Sequence, residues 1–208
     1  AGLGVREILS RLREAGQCTL PGGGAEVLSE KVRKRIEPKK GGPSAWLDVH
    51  REAHRLGFKS TATMMYGHLE QPDDIFDHLD AVRDLQDELA GFTAFVPWSF
   101  KPENTLLEKW IKHYAGPNQY LRMLAVARLY LDNFPHIQAS WFSEGKRVGQ
   151  LALRFGADDF GGTLFEENVH AAANFVNKVM VVEVCTLIRE AGFTPTQRTT
   201  LYEILKVY

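Results

Sequence analysis

The stretch Cys18-Thr19-Leu20-Pro21-Gly22-Gly23-Gly24-Ala25-Glu26 organises the reading of the whole chain. It reads as a short apolar strand that stops at a proline, opens into three glycines and starts a helix whose first turn carries a carboxylate. A backbone without Cβ atoms lets a ligand lie against the peptide groups, and a helix start offers unpaired N–H donors. A glycine turn that merely joins strand to helix has the same composition. What gives the stretch its meaning is repetition, because later strands also end in loops dense with polar and aromatic residues.

Before the glycines, Val5, Ile8, Leu9, Leu12 and Ala15 recur at helical spacing and Gly16 stops them. After them, residues 25–36 read as a helix that Glu37-Pro38-Lys39-Lys40-Gly41-Gly42-Pro43 breaks. Ser44 stands where an N-cap belongs, ahead of a helix to about Leu56 that Gly57 closes. Residues 59–66 make a Thr-rich strand ending at Gly67-His68. Pro72 with Asp73 and Asp74 opens a helix to about Leu89. There follow a strand at 92–96, a loop at 97–105, a helix around 119–131, a strand at 137–140 that ends at Trp141, and a helix around 147–155. A fifth strand at 156–160 leads to a loop with Glu166, Glu167 and Asn168. The tail reads as a helix through Val181, Val184, Cys185 and Ile188, a stop at Gly192 and a last segment packed on the outside.

Strands separated by helical segments predict parallel βαβ units, hence an α/β sheet or barrel, and ligands bind beyond the carboxyl ends of such strands. The polar and aromatic loops all fall at that end. Composition fits an ordinary globular domain: 208 residues, 44% hydrophobic and 25% charged, with 25 basic against 26 acidic side chains. That balance speaks against a nucleic-acid or membrane surface, and the run Lys31-Val32-Arg33-Lys34-Arg35 reads as a solvated helix face. Cys18 and Cys185 are the two cysteines and read as buried free thiols in a reducing compartment. With no apolar run of about 20 residues and no visible signal peptide, the cytoplasm is the expected location.

His50 and His54, four apart on a helix with Glu52 between them, read as a solvated face rather than a metal site, and no metal is expected on these residues. Neither a phosphate-loop lysine signature nor a nucleophile elbow occurs. His68 and Glu70 follow the second strand, where an imidazole can accept a proton near neutral pH or simply bond the backbone. Trp98, Phe100 and Trp141 close two strands, either to stack on an aromatic ligand or to cap the core. Asp158, Asp159, Glu166 and Glu167 are candidates for hydroxyls or a cation, with plain solvation as the other reading.

Taken together, Pro21-Gly22-Gly23-Gly24-Ala25-Glu26, Thr61-Ala62-Thr63-Met64-Met65-Tyr66-Gly67-His68, Phe92-Thr93-Ala94-Phe95-Val96-Pro97-Trp98 with Pro102-Glu103-Asn104-Thr105, Ile137-Gln138-Ala139-Ser140-Trp141, and Phe155-Gly156-Ala157-Asp158-Asp159-Phe160-Gly161-Gly162-Thr163 with Glu166-Glu167-Asn168 resemble a known family. The chain is similar to the radical S-adenosylmethionine enzymes of the futalosine route to menaquinone and their relatives in deazaflavin synthesis. Pro97-Trp98 and Gln138-Ala139-Ser140-Trp141 incline it toward cyclic dehypoxanthinyl futalosine synthases.

The resemblance implies an eight-stranded (β/α) barrel of TIM type, whose first strand leads into a C-x3-C-x2-C loop holding a [4Fe–4S] cluster. S-adenosylmethionine binds the free iron, and the 5′-deoxyadenosyl radical takes a hydrogen from the ribose of dehypoxanthine futalosine, which closes onto its benzoate ring. This chain has no such cysteine motif. Aligned with the family pattern it is a partial barrel, covering about strands four to eight over residues 1–175, with a C-terminal helical extension at 176–208. The expectations are a part of a longer enzyme that is inactive by itself, and self-association through open barrel edges. Carried over by the motifs, Gly22, Gly23, Gly24 and Glu26 would bind S-adenosylmethionine and His68 would be catalytic. Tyr66, Glu70, Trp98, Trp141 and Asp158 would bind the substrate. The alternatives are an aminofutalosine or deazaflavin synthase relative, a non-catalytic partial barrel, and a small acid–base enzyme using His68 and Glu70.

Overall fold

The computed structural model of the chain describes residues 2–111, 113–163 and 168–208. Helix α1 (Val5–Glu14) buries Leu9 against Ala53 and Phe58, and its acidic first turn and basic last turn suit the helix dipole. Strand β1 (Thr19–Leu20) follows. Helix α2 (Glu30–Ile36) is shorter than the sequence predicts, because residues 25–29 are not helical and run through the core with Ala25 and Val27 fully buried. Their backbone groups are bonded elsewhere. Met65 N–H donates to the Glu26 carbonyl at 2.9 Å and Leu28 N–H donates to His78 Nδ1 at 3.1 Å, so a helical ladder has no claim on them.

Helix α3 (Pro43–Arg55) takes Gly42 as its N-cap and Pro43 in its first turn, which leaves the predicted cap Ser44 inside the helix. Strand β2 (Lys59–Tyr66) and helix α4 (Pro72–Leu89) lie where the sequence places them, and α4 opens with a capping box between Gln71 and Asp74. Strand β3 (Phe92–Ser99) continues past Val96 through Pro97. After helix α5 (Pro117–Tyr130) come the short strand β4 (His136–Ile137), helix α6 (Trp141–Glu144) and helix α7 (Lys146–Ala152). The tail holds α8 (Asn168–Ala172), α9 (Val181–Glu190) and an antiparallel pair, β5 (Thr196–Arg198) with β6 (Ile204–Val207). After the predicted helix and the stop at Gly192, the last segment is thus a hairpin.

Strands β1, β2, β3 and β4 pair in sequence order, all parallel. The predicted fifth strand is reduced to a parallel bridge between Gln138 and Asp159. Ala62, Met64 and Tyr66 of β2, Phe95 of β3 and Ile137 of β4 share one core with Leu79, Val82 and Leu85 of α4 and Tyr120, Leu124 and Ala127 of α5. This is the sheet face that packs on helices, each large side chain there contributing about 1.5–3 kcal/mol. By strand alternation Thr61, Thr63, Met65 and Trp98 lie on the other face.

Several surface expectations give way to burial. His50 and His54 are buried, and Ser60 Oγ lies 3.0 Å from His50 Nδ1 and 2.8 Å from His54 Nε2. Removal from water holds their pKa values down, to about 3 and about 4, so both rings are neutral. Within the basic run, Arg33 is buried and donates to the carbonyls of Gly24, Ala25 and Gly41. Cys185 is buried as expected, whereas Cys18 is exposed. Among the described residues no helix is long and apolar enough to cross a membrane.

Candidate functional site

The exit ends of the parallel strands bring most of the predicted residues side by side. Gly22 leaves β1 strapped to β2: its N–H donates to Thr61 Oγ1 at 2.9 Å and its carbonyl accepts from Thr63 Oγ1 at 2.6 Å. A Cβ on Gly22 would stand 2.2 Å from the Thr61 carbonyl oxygen, so packing demands this glycine. Gly23 and Gly24 instead face open space where a Cβ would project, and Trp46 Nε1 donates to the Gly23 carbonyl at 3.3 Å. Glu26 has a left-handed φ of 51°, and its carboxylate accepts from Lys40 Nζ at 2.8 Å. The predicted helix start at this point does not exist, so no helix dipole is aimed past the Glu26 carboxylate.

At the end of β2, Tyr66 is fully buried opposite Ser99 of β3, and Met65 is paired with Trp98. The Tyr66 hydroxyl has no hydrogen-bond partner among the described residues, and burial drives its pKa upward. His68 is closed off: Nε2 donates to the Met65 carbonyl at 2.9 Å, and Nδ1 accepts from Leu69 N–H at 2.7 Å. Glu70 Oε2 also lies 3.1 Å from Nδ1, so both ring nitrogens are engaged within the turn and neither faces a ligand. Glu70 accepts from the backbone N–H groups of Gly67 and His68 and so shapes the turn.

Trp98 is half-buried, edge-on to His170 at 5.3 Å, and Phe142 meets the same imidazole at 5.4 Å. Trp141 departs from expectation. It is 1% exposed and packs with Phe160 and Leu187, with Gly149 making room for it, so it caps a satellite core. Asp158 departs further: it accepts from Arg128 Nη2 at 2.7 Å and from Ile137 N–H at 2.8 Å, and its other oxygen lies 2.7 Å from His136 Nδ1. This holds it at the start of β4, about 10 Å along the chain from Ser140 at the strand exit. Glu166 and Glu167 lie outside the described residues.

Two residues near the exit, Glu144 and Lys101, escaped sequence reasoning. Glu144, on the short helix after β4, accepts from Ser99 N–H at 2.9 Å, from Ser99 Oγ at 2.6 Å and from Ser143 Oγ at 3.0 Å. Lys101 donates to Ser99 Oγ at 2.8 Å and sits 4.5 Å over the Phe175 ring. Burial pulls the Lys101 pKa below the usual lysine range, against the Glu144 and Glu103 carboxylates, which raise it. Nothing in Glu144's own sequence neighbourhood marks it, since the serine that holds it lies forty-five residues away.

A cavity of about 650 Å³ lies elsewhere, between residues 157–163, α9 and the β5–β6 hairpin. There Tyr202 stacks on His136 at 3.7 Å and donates to Asp159 at 2.6 Å, tying the tail to the sheet. It runs along the last sheet segment, and of the candidate ligand groups Asp158 and Asp159 line it. Among the described residues no group of three His, Cys, Asp or Glu side chains is arranged to hold a metal ion.

Comparison with known proteins adds an independent line. Residues 89–208 match the family model described as the CofH/MqnC C-terminal region, and residues 1–82 match that of the Radical SAM superfamily. The chain is 44% identical over 208 residues to the cyclic dehypoxanthine futalosine synthase of Halalkalibacterium halodurans, covering 100% of this chain and 56% of that protein. It is 42% identical over 212 residues to the aminodeoxyfutalosine synthase of Thermus thermophilus, covering 100% of this chain and 57% of that protein. It is 44% identical over 213 residues to the 5-amino-6-(D-ribitylamino)uracil–L-tyrosine 4-hydroxyphenyl transferase of Methanopyrus kandleri, covering 100% of this chain and 58% of that protein. The chain therefore spans little more than half the length of these relatives.

Proposed function

The chain belongs to the radical SAM proteins that share the CofH/MqnC C-terminal region, and on that premise we propose that it is the cofactor- and substrate-binding portion of a cyclase. The reaction proposed is the conversion of dehypoxanthine futalosine to its cyclic form in menaquinone synthesis. The observation that carries this reading is the alignment of the Gly23–Gly24 edge, Glu26 and Trp98 across the exit ends of adjacent parallel strands, with Met65 between Glu26 and Trp98, in a chain 44% identical along its whole length to a protein of that name.

Superfamily members use S-adenosylmethionine and a [4Fe–4S] cluster. The residues of this chain do not fit the cluster, because three converging thiolates are needed and its two cysteines are an exposed Cys18 and a buried Cys185. The residues do fit the amino-acid arm of S-adenosylmethionine: Glu26 already accepts an ammonium group, and the space beside Gly23 and Gly24 is open. When bound, that cofactor supplies the 5′-deoxyadenosyl group for hydrogen abstraction. Glu26 orients its arm, the glycine edge lets it approach the backbone, and Trp98 presents an aromatic wall to the substrate. The whole is a partial TIM-type barrel, in which β1 and the segment around Asp159 form two open edges that pair with further strands or with another copy.

A second reading, a relative acting on a different aromatic substrate, is favoured by the equal identity to the tyrosine 4-hydroxyphenyl transferase. The experiment separating them is a parallel assay of the intact natural polypeptide, anaerobically reconstituted with iron and sulfide and supplied with reductant. Dehypoxanthine futalosine is offered in one arm, and tyrosine with the ribitylaminouracil in the other. Cyclised product in the first arm alone supports the cyclase; product in the second arm alone replaces it.

A further inference from the structure

Glu26 is held in an unusual way. Its φ of 51° lies in the left-handed region that non-glycine residues seldom adopt, and such backbone persists where the surroundings enforce it. Here the enforcement is the Met65 N–H bond to its carbonyl at 2.9 Å and the Arg33 guanidinium, which bonds the carbonyls of Gly24 and Ala25 just before it. The side chain that leaves this pinned backbone is mostly sheltered, with 14% of it exposed. The cation on it is much less sheltered. Lys40 is 45% exposed and stands on a turn in which its own N–H reaches the Glu37 carbonyl at 3.2 Å and Gly41 follows at φ 76°. A sheltered carboxylate on a pinned backbone, facing a half-solvated lysine beside a glycine turn, is an ion pair whose two halves differ sharply in exposure.

We propose that Lys40 is a displaceable occupant of Glu26, its ammonium filling the place that the primary amino group of an amino-acid-bearing nucleoside takes when it binds. This rests on the assignment of Glu26 to the cofactor's amino-acid arm. Lys40 then acts as a built-in competitor: it satisfies the sheltered carboxylate in the free protein and swings into solvent when a ligand ammonium arrives. Arg33 stays in place throughout, since it is tied to three backbone carbonyls.

The test is calorimetric titration of the intact protein with S-adenosylhomocysteine, which has the amino-acid arm, and with 5′-methylthioadenosine, which lacks it. Because an exposed ion pair is worth little, Lys40→Met is expected to bind the first ligand about two- to five-fold tighter. The second ligand is expected to bind unchanged, and Lys39→Met, with the same change of charge, to alter neither. In a Glu26→Gln background the gain from Lys40→Met is expected to vanish. Unchanged or weaker binding in Lys40→Met while Glu26→Gln weakens binding would overturn the role of Lys40 and leave Glu26 standing. Equal tightening for both ligands would overturn it too. Glu26→Gln binding as tightly as the natural protein would remove the Glu26 assignment and Lys40 with it.

Discussion

Met65 donates its backbone N–H to the carbonyl of Glu26 at 2.9 Å, well beyond Leu20, where β1 ends. The chain after the glycines thus keeps running beside β2 and does not climb into a helix. The proposed site at this edge therefore rests on the Glu26 side chain and the open space beside Gly23 and Gly24, and its glycines have unequal duties.

Gly22→Ala is expected to destabilise the protein by about 1–3 kcal/mol, because its Cβ would meet backbone atoms of Thr61 that cannot move aside. Gly23→Ala, projecting into open space, is expected to keep stability within about 0.5 kcal/mol while weakening cofactor binding. Urea unfolding and calorimetric binding of the two variants check this. Equal stability loss in both would contradict the division.

Tyr66→Phe separates fold from function. The hydroxyl is buried with no partner among the described residues, so its removal is expected to leave stability unchanged or raise it by about 1 kcal/mol. If the hydroxyl serves the substrate, KM rises in the intact enzyme at the same time. Lost stability with unaltered KM would make Tyr66 a structural residue.

Ser60→Ala takes one hydroxyl from two buried imidazoles. His50 Nδ1 and His54 Nε2 would both lose their partner, and the expected cost is about 2 kcal/mol in chemical denaturation. A neutral result would mean that water replaces the hydroxyl at no cost.

Acid should unfold the protein early. His50, His54 and His78 are held to about 3, about 4 and about 3 in the folded state by burial, against about 6.5 unfolded. The unfolded chain binds more protons between those limits, so stability is full above pH 6.5 and declines as pH falls toward 4, by at most about 1.4 kcal/mol per pH unit for each histidine. Unfolding free energies measured from pH 8 to pH 5 test this. A profile flat through pH 5 would contradict the buried neutral rings.

Open strand edges predict that residues 1–208 alone self-associate. Sedimentation velocity is expected to give concentration-dependent species larger than 23.4 kDa. A stable monomer across the micromolar range would contradict it.

Local chemistry made much of this legible. Pro72 with its acidic turn placed α4, and the threonine-rich run placed β2. What failed was decided by distant partners. Residues 25–29 have helical composition, but Leu28 N–H is taken by His78 and Ser29 Oγ by Asp74. Pro97 suggested the end of a strand, yet β3 runs on through it. Its carbonyl accepts from Ser140 Oγ at 2.7 Å on the side where β4 has already ended, so no ladder bond needs the missing N–H. The histidines of α3 showed only a polar pair in sequence, because their partner Ser60 lies on β2. Asp158 looked free for the same reason, with Arg128 and His136 invisible beside it.

That ligands bind at the strand exits is tested most directly by a crystal structure of the intact protein with S-adenosylmethionine and dehypoxanthine futalosine. The cofactor's amino nitrogen is predicted within hydrogen-bonding distance of the Glu26 carboxylate, with Lys40 turned to solvent and the substrate's aromatic ring beside Trp98. Ligands bound instead in the cavity between Asp158 and the β5–β6 hairpin, with the Glu26–Lys40 pair intact, would contradict it.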